Sequence, residues 1–156
     1  MSNRKLYIIG NGFDLHHDLK TSYADFCLYV REKDKELYEF LECYVDVELD
    51  KKGLWKDFEN CLSTFDHVGF YSDYDHTEPS GDNFKLSDML GVEDELTEKS
   101  EMMIEKMRQA LYDWLDEIDY PDKGYKALPL ETYARYLTFN YTSTLNLLFI
   151  HIFQFI

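Results

Sequence analysis

The sequence predicts an α/β fold: a Rossmann-like parallel sheet, incomplete, with a large helical insertion over residues 22–120. Three observations carry this reading. Lys5-Leu6-Tyr7-Ile8-Ile9 is a short, nearly continuous apolar run, the pattern of a strand buried on both faces in a parallel sheet. Tyr136-Leu137-Thr138-Phe139-Asn140 is a second strand candidate far along the chain, and both runs give way to turn-forming residues, Gly10-Asn11-Gly12 and Asn140-Tyr141-Thr142. Between them the apolar residues recur mainly at helical spacing.

Each element follows from its local pattern. Phe13, Leu15 and Leu19 fit one or two helical turns after the glycines. Thr21 and Ser22 can cap the next helix, with Asp25 three residues after Ser22 and Tyr23, Phe26, Cys27 and Val30 on one face. A second helix uses Leu37, Tyr38, Leu41, Tyr44 and Val45, and a third follows Gly53 with Leu54, Trp55, Phe58, Cys61 and Leu62. Residues 66–92 are acidic and hold Gly69, Pro79, Ser80, Gly81, Asp82 and Asn83, so a long, poorly ordered surface excursion is expected there. Val92 to Ile118 is the longest periodic segment, ended by Pro121 and Gly124. Thr142 or Ser143 can cap a further helix after the second strand.

A chain of 156 residues is the size of one domain, here taken as 1–156. An aromatic fraction of 17% argues against intrinsic disorder. The formal charge of −15 argues against non-specific binding to nucleic acid and against an anionic membrane surface, because like charges repel. Cys27, Cys43 and Cys61 form no CxxC pair, so buried free thiols in a reducing, cytoplasmic setting are expected. The segment Leu145 to Ile156 is strongly apolar but too short for a membrane span, and it ends without a turn or polar finish. A chain truncated at its C-terminus, or out of frame near residue 145, is the expectation.

Two constellations carry chemistry. Gly10-Asn11-Gly12-Phe13-Asp14 follows the first strand directly. Two glycines at a strand-to-helix turn let the backbone approach a ligand, and the helix N–H groups favour phosphate. Asp14 stands where a phosphate cradle should be neutral or positive; it suits helix capping or a hydrogen bond from a ribose hydroxyl. His16 and His17 point to different faces and make no metal pair. The second constellation, Thr138-Phe139-Asn140-Tyr141-Thr142, sits at a strand's C-terminal end, where parallel sheets bind ligands. Asn140 offers a donor and an acceptor there. Serine-hydrolase and P-loop patterns are absent.

These residues resemble a known family. Leu6 to Leu15, then His17, then Leu19-Lys20-Thr21-Ser22-Tyr23, is similar to the amino-terminal signature of the AbiH proteins, which are associated with bacterial abortive infection against phage. Trp55-Lys56-Asp57-Phe58-Glu59 resembles the family's W-x-x-F-E segment, and Phe139 to Leu145 resembles its F-N-Y-T-x-T-L segment. The family usually has Gly where Asp18 stands, and nothing after Leu145 matches its later His-Gly-type motif. More remotely, G-N-G-F-D and F-N-Y-T are similar to the paired motifs of sirtuin-like NAD-binding domains.

The resemblance implies a defence protein whose candidate cofactor-binding residues are Gly10, Asn11, Gly12, Phe13, Asp14, His17, Asn140 and Thr142. The implied cofactor is NAD or another nucleotide, with Asn140 facing the ribose. The catalytic His of the sirtuin-like domains has no counterpart here, and no catalytic residue or metal site is assigned. A protein partner is the second expectation, suited to the long acidic insertion and the 13 Tyr and 11 Phe residues. The alternatives to a nucleotide-binding effector are a non-enzymatic sensor or interaction module, and an inactive truncated remnant. The residues leave open whether the protein is an enzyme. They do predict that the two strand-end motifs meet at one pocket.

Overall fold

In the computed structural model, which describes residues 5–49, 52, 55–74, 86–120, 126, 128–131 and 133–147 (the side chains of 86–90 excepted), two strands form one parallel pair. β1 (Leu6–Ile9) and β2 (Arg135–Thr138) run in register from Leu6 beside Arg135 to Ile9 beside Thr138. The ladder is extended by Arg135 N–H to the Lys5 carbonyl and Phe139 N–H to the Ile9 carbonyl, each 2.9 Å. Tyr7 and Tyr136 stack across the pair at 5.3 Å. Parallel pairing brings both C-terminal ends to the same edge, so Gly10 and Asn140 emerge side by side.

Everything between the strands that the structure describes is helical or irregular. α1 (Gly12–His16) is one short turn after β1. α2 (Tyr23–Lys33) starts at a complete capping box: Ser22 Oγ accepts from Asp25 N–H, and the Asp25 carboxylate accepts from Ser22 N–H. α3 (Lys35–Tyr44) is capped by Asp34, whose carboxylate accepts from Leu37 N–H at 3.0 Å. α4 (Phe58–Cys61) runs into a 3-10 turn at Leu62–Thr64. α5 (His67–Tyr74) and α6 (Leu86–Asp116) follow.

The main core lies among the helices rather than on the sheet. Phe26, Cys27 and Val30 of α2, Leu37 and Leu41 of α3, and Met103 and Trp114 of α6 close on Trp55 and Phe58. Trp55 stacks on Phe58 at 4.5 Å and on Tyr38 at 5.9 Å, and its indole N–H donates to Glu42 at 2.8 Å. Glu36 on α3 accepts from Lys99 and Lys106 of α6, and these two cations hold its carboxyl down at about 2. A second, smaller core joins Ile9, Phe13 and Leu145.

Several expectations need correction. β1 is not buried on both faces: Leu6 and Ile8 are 57% and 67% exposed, because among the described residues no layer covers that side. Trp55 is not helical; it forms an isolated antiparallel bridge with Leu49, which lets its indole enter the α2–α3 core. The stretch expected as a loop over 66–92 holds α5 and the start of α6. Asp66 initiates α5 by accepting from Gly69 N–H at 2.9 Å, and Phe70 anchors it against Phe40, Tyr44 and Phe65. Residues 75–85, which include Pro79 to Asn83, lie outside the described residues, as do Pro121, Gly124 and the apolar tail beyond 147. Cys27 and Cys61 are buried as expected, but Cys43 is exposed.

Candidate functional site at the strand ends

The turn after β1 is set by the backbone. Phe13 N–H closes on the Gly10 carbonyl at 2.9 Å, and the Asn11 side-chain amide donates to the Thr21 carbonyl at 2.7 Å. That bond ties the turn to the segment leading into α2. A Cβ at Gly10 or Gly12 would meet no atom within 4 Å, and neither residue takes a left-handed φ. Packing and backbone conformation therefore do not require glycine here. What glycine leaves is uncovered backbone.

Asp14 does not cap α1. Its side chain is 1% exposed, and one carboxylate oxygen, Oδ2, accepts from the Thr142 hydroxyl at 2.6 Å. Thr142 Oγ1 lies 3.0 Å from the hydroxyl of the fully buried Thr144. The signature after β1 and the one after β2 are thus joined by a buried hydrogen-bond chain, because parallel pairing brings the ends of both strands to one edge.

Above this chain lies a cavity of about 440 Å³. Gly10, Asn11, Asp14 and Thr21 line one wall, and Phe139, Asn140, Tyr141 and Thr142 line another. The remaining wall is helical and mostly apolar: Tyr23 and Phe26 from α2, Phe58 from α4, and Met107, Leu111 and Trp114 from α6, among others. Asp14 Oδ1, Thr21 Oγ1 and both amide atoms of Asn140 are buried and have no hydrogen-bond partner among the described residues. Leaving such a group unpaired costs about 1–3 kcal/mol, and the three residues that carry them all line the same cavity. The charged residues of the lining are Asp14, Glu59 and Arg108. Glu59 accepts from the Tyr23 hydroxyl at 2.8 Å, and burial together with this carboxylate pushes the phenol up.

Of the sequence candidates, Gly10, Asn11, Asp14, Asn140 and Thr142 meet at the cavity, as expected of the two motifs. Gly12 and Phe13 border a separate groove beside β1, and Phe13 packs into the small core. His17 is buried beside Phe13, and its Nδ1 accepts from Lys126 N–H at 3.1 Å. Burial first, then the neighbouring His16, holds its imidazole below the ordinary value. Among the described residues no group of His, Cys, Asp or Glu could hold a metal ion, and no helix is long and apolar enough to cross a membrane.

Sequence reasoning missed Thr21, Tyr23 and the α6 wall as lining residues. For the first two a signal existed, because they close the run that begins at the first strand. Phe58 and Glu59, from the W-x-x-F-E segment, line the same cavity. Three separated motifs therefore converge on one space.

Comparison with known proteins gives one finding of kinship. The family described as bacteriophage abortive infection AbiH matches residues 6–151. No curated protein and no solved structure matches the chain.

Proposed function

The chain belongs to the AbiH family of bacteriophage abortive infection proteins, and from that premise we propose that it serves anti-phage defence through a nucleotide held at the strand ends, with NAD as the leading candidate. One observation carries this reading: the segments around 10–14, 58–59 and 139–142, far apart in the chain, line a single cavity whose buried polar groups lack partners. Its volume of about 440 Å³ lies within the range of small-molecule sites.

The division of labour follows from the side chains. In this reading Asp14 Oδ1 accepts from a sugar hydroxyl and the Asn140 amide donates and accepts, a view supported by their being unpaired residues of one cavity lining. Phe26, Phe58 and Trp114 offer aromatic surface for a base. We read the two strands as part of a Rossmann-like sheet, a view supported by their parallel pairing and by the cavity's place at their carboxyl ends.

Calorimetric titration with NAD tests the proposal. Saturable binding to the native chain is expected, weakened roughly tenfold or more by Asn140→Ala, since a site built for polar partners loses much when one is removed. Gly10→Ala should weaken binding while leaving the thermal midpoint unchanged or raised, because Gly10 lines the cavity and a Cβ there meets no protein atom within 4 Å. Absence of heat with NAD and with other nucleotides would remove the nucleotide reading and favour an interaction module.

A further inference from the structure

Resting on the nucleotide reading above, we infer that the ligand enters the cavity with an uncharged, donor-rich ribosyl end, and that its phosphates lie away from the Gly10–Gly12 turn, towards the rim marked by Arg108. A glycine turn ahead of a helix is ordinarily the place for a phosphate. Here three features argue against it.

The first is Asp14. Its carboxylate is almost wholly buried, and Oδ2 is occupied by the Thr142 hydroxyl. The remaining oxygen, Oδ1, is an acceptor that needs a donor. A phosphate brings acceptors and like charge to that position; a ribose hydroxyl brings a donor and no charge. The second feature is α1, which spans only Gly12–His16 and carries Asp14 in its first turn. So short a helix has only a weak positive end, and a carboxylate in its first turn offsets it. The third is the placement of charge. The lining's cation is Arg108, on α6, with its side chain 62% exposed. Arg108 pairs with the exposed Glu105 at 3.2 Å and shares the lining with Glu59, so the cationic group of the lining lies on its exposed side, away from the buried carboxylate of Asp14.

The unpaired groups also match a sugar in kind. Asp14 Oδ1 accepts, Asn140 both donates and accepts, and the Thr21 hydroxyl can do either. Vicinal hydroxyls, each a donor and an acceptor, satisfy such a set. The base then lies on the apolar wall, and the 5′ substituent points outward.

The test is a competition series on the native chain using NAD, adenosine, AMP, 2′,3′-dideoxyadenosine and inorganic pyrophosphate. Adenosine is expected to bind within about threefold of AMP, and the dideoxy analogue roughly tenfold or more weaker than adenosine, because only its sugar donors have been lost. Millimolar pyrophosphate should leave bound NAD in place. AMP binding more than about tenfold tighter than adenosine, or displacement of NAD by pyrophosphate, would overturn the inference while leaving a nucleotide site intact. Failure of NAD and every nucleoside to bind would overturn the nucleotide reading and this inference with it. Asp14→Asn removes the charge and supplies an amide donor, so it should shift preference towards AMP. Arg108→Ala, on the exposed face of α6, should weaken AMP and spare adenosine; equal losses for both would count against the assigned direction.

Discussion

Asp18 holds the backbone position that ends α1, with φ at 62°. The bonds are those of a Schellman cap: Leu19 N–H to the Asp14 carbonyl and Asp18 N–H to the Leu15 carbonyl, each 3.1 Å. A left-handed residue there favours glycine, which is what the AbiH signature has at this place. The sequence therefore announced a departure, and the structure shows that the turn forms regardless, helped by the ion pair from Lys126 Nζ to Asp18 at 2.7 Å. Asp18→Gly is expected to raise the thermal midpoint by about 2–4 °C, the scale of relieving one such residue in a chain of this size; a lower midpoint would mean that the Lys126 contact outweighs the backbone relief. His17 gives a pH dependence. Its folded value lies below 6.5, so under acid conditions the unfolded chain binds the proton more readily than the folded one. Stability should fall as pH drops through 6.5. Thermal melts between pH 7.5 and 5.5 should show a shallower decline for His17→Gln than for the native chain, whereas parallel curves would contradict a buried neutral His17.

At the scale of elements, the capping box of α2 was legible because its signal is local: Ser22, then Asp25, then an apolar face. Ser22→Ala should cost about 1 kcal/mol in denaturant unfolding, and a change under a few tenths would mean that tertiary packing alone sets the helix start. α3, both strands and most of α6 were legible for the same reason. α5 was not. Gly69 and the acidic residues read as loop, yet Asp66 caps the helix and Phe70 is buried among aromatic rings from α3 and its own neighbourhood. Trp55 failed in the opposite sense. Its spacing to Phe58 fits a helix, but stacking between Phe58 and Tyr38 favours an extended backbone at that residue. In both cases side-chain burial against distant residues overrode the local pattern, which is where propensity is weakest.

At the scale of the molecule, the polar half of the candidate site was legible and the apolar half was not. Asp14 and Asn140 follow strand-like runs, and parallel pairing of β1 with β2 brings their ends together. Met107, Leu111 and Trp114 recur at helical spacing, and a helix face that lines a cavity has the same periodicity as one that packs in a core. Only the fold separates the two. The helices between the strands thus have two duties: they form the main core, and they close the cavity over the strand ends. This arrangement also provides a reporter. Trp114 lines the cavity, while Trp55, the other tryptophan of the chain, is buried beneath Phe58. Occupancy of the cavity can be followed by titrating tryptophan emission with NAD, corrected for absorption by the nucleotide. A saturable change is expected in the native chain, shifted to roughly tenfold or higher NAD in Asn140→Ala; emission that stays flat in the native chain, or saturates at the same NAD concentration in both, would rule out a nucleotide at the strand ends.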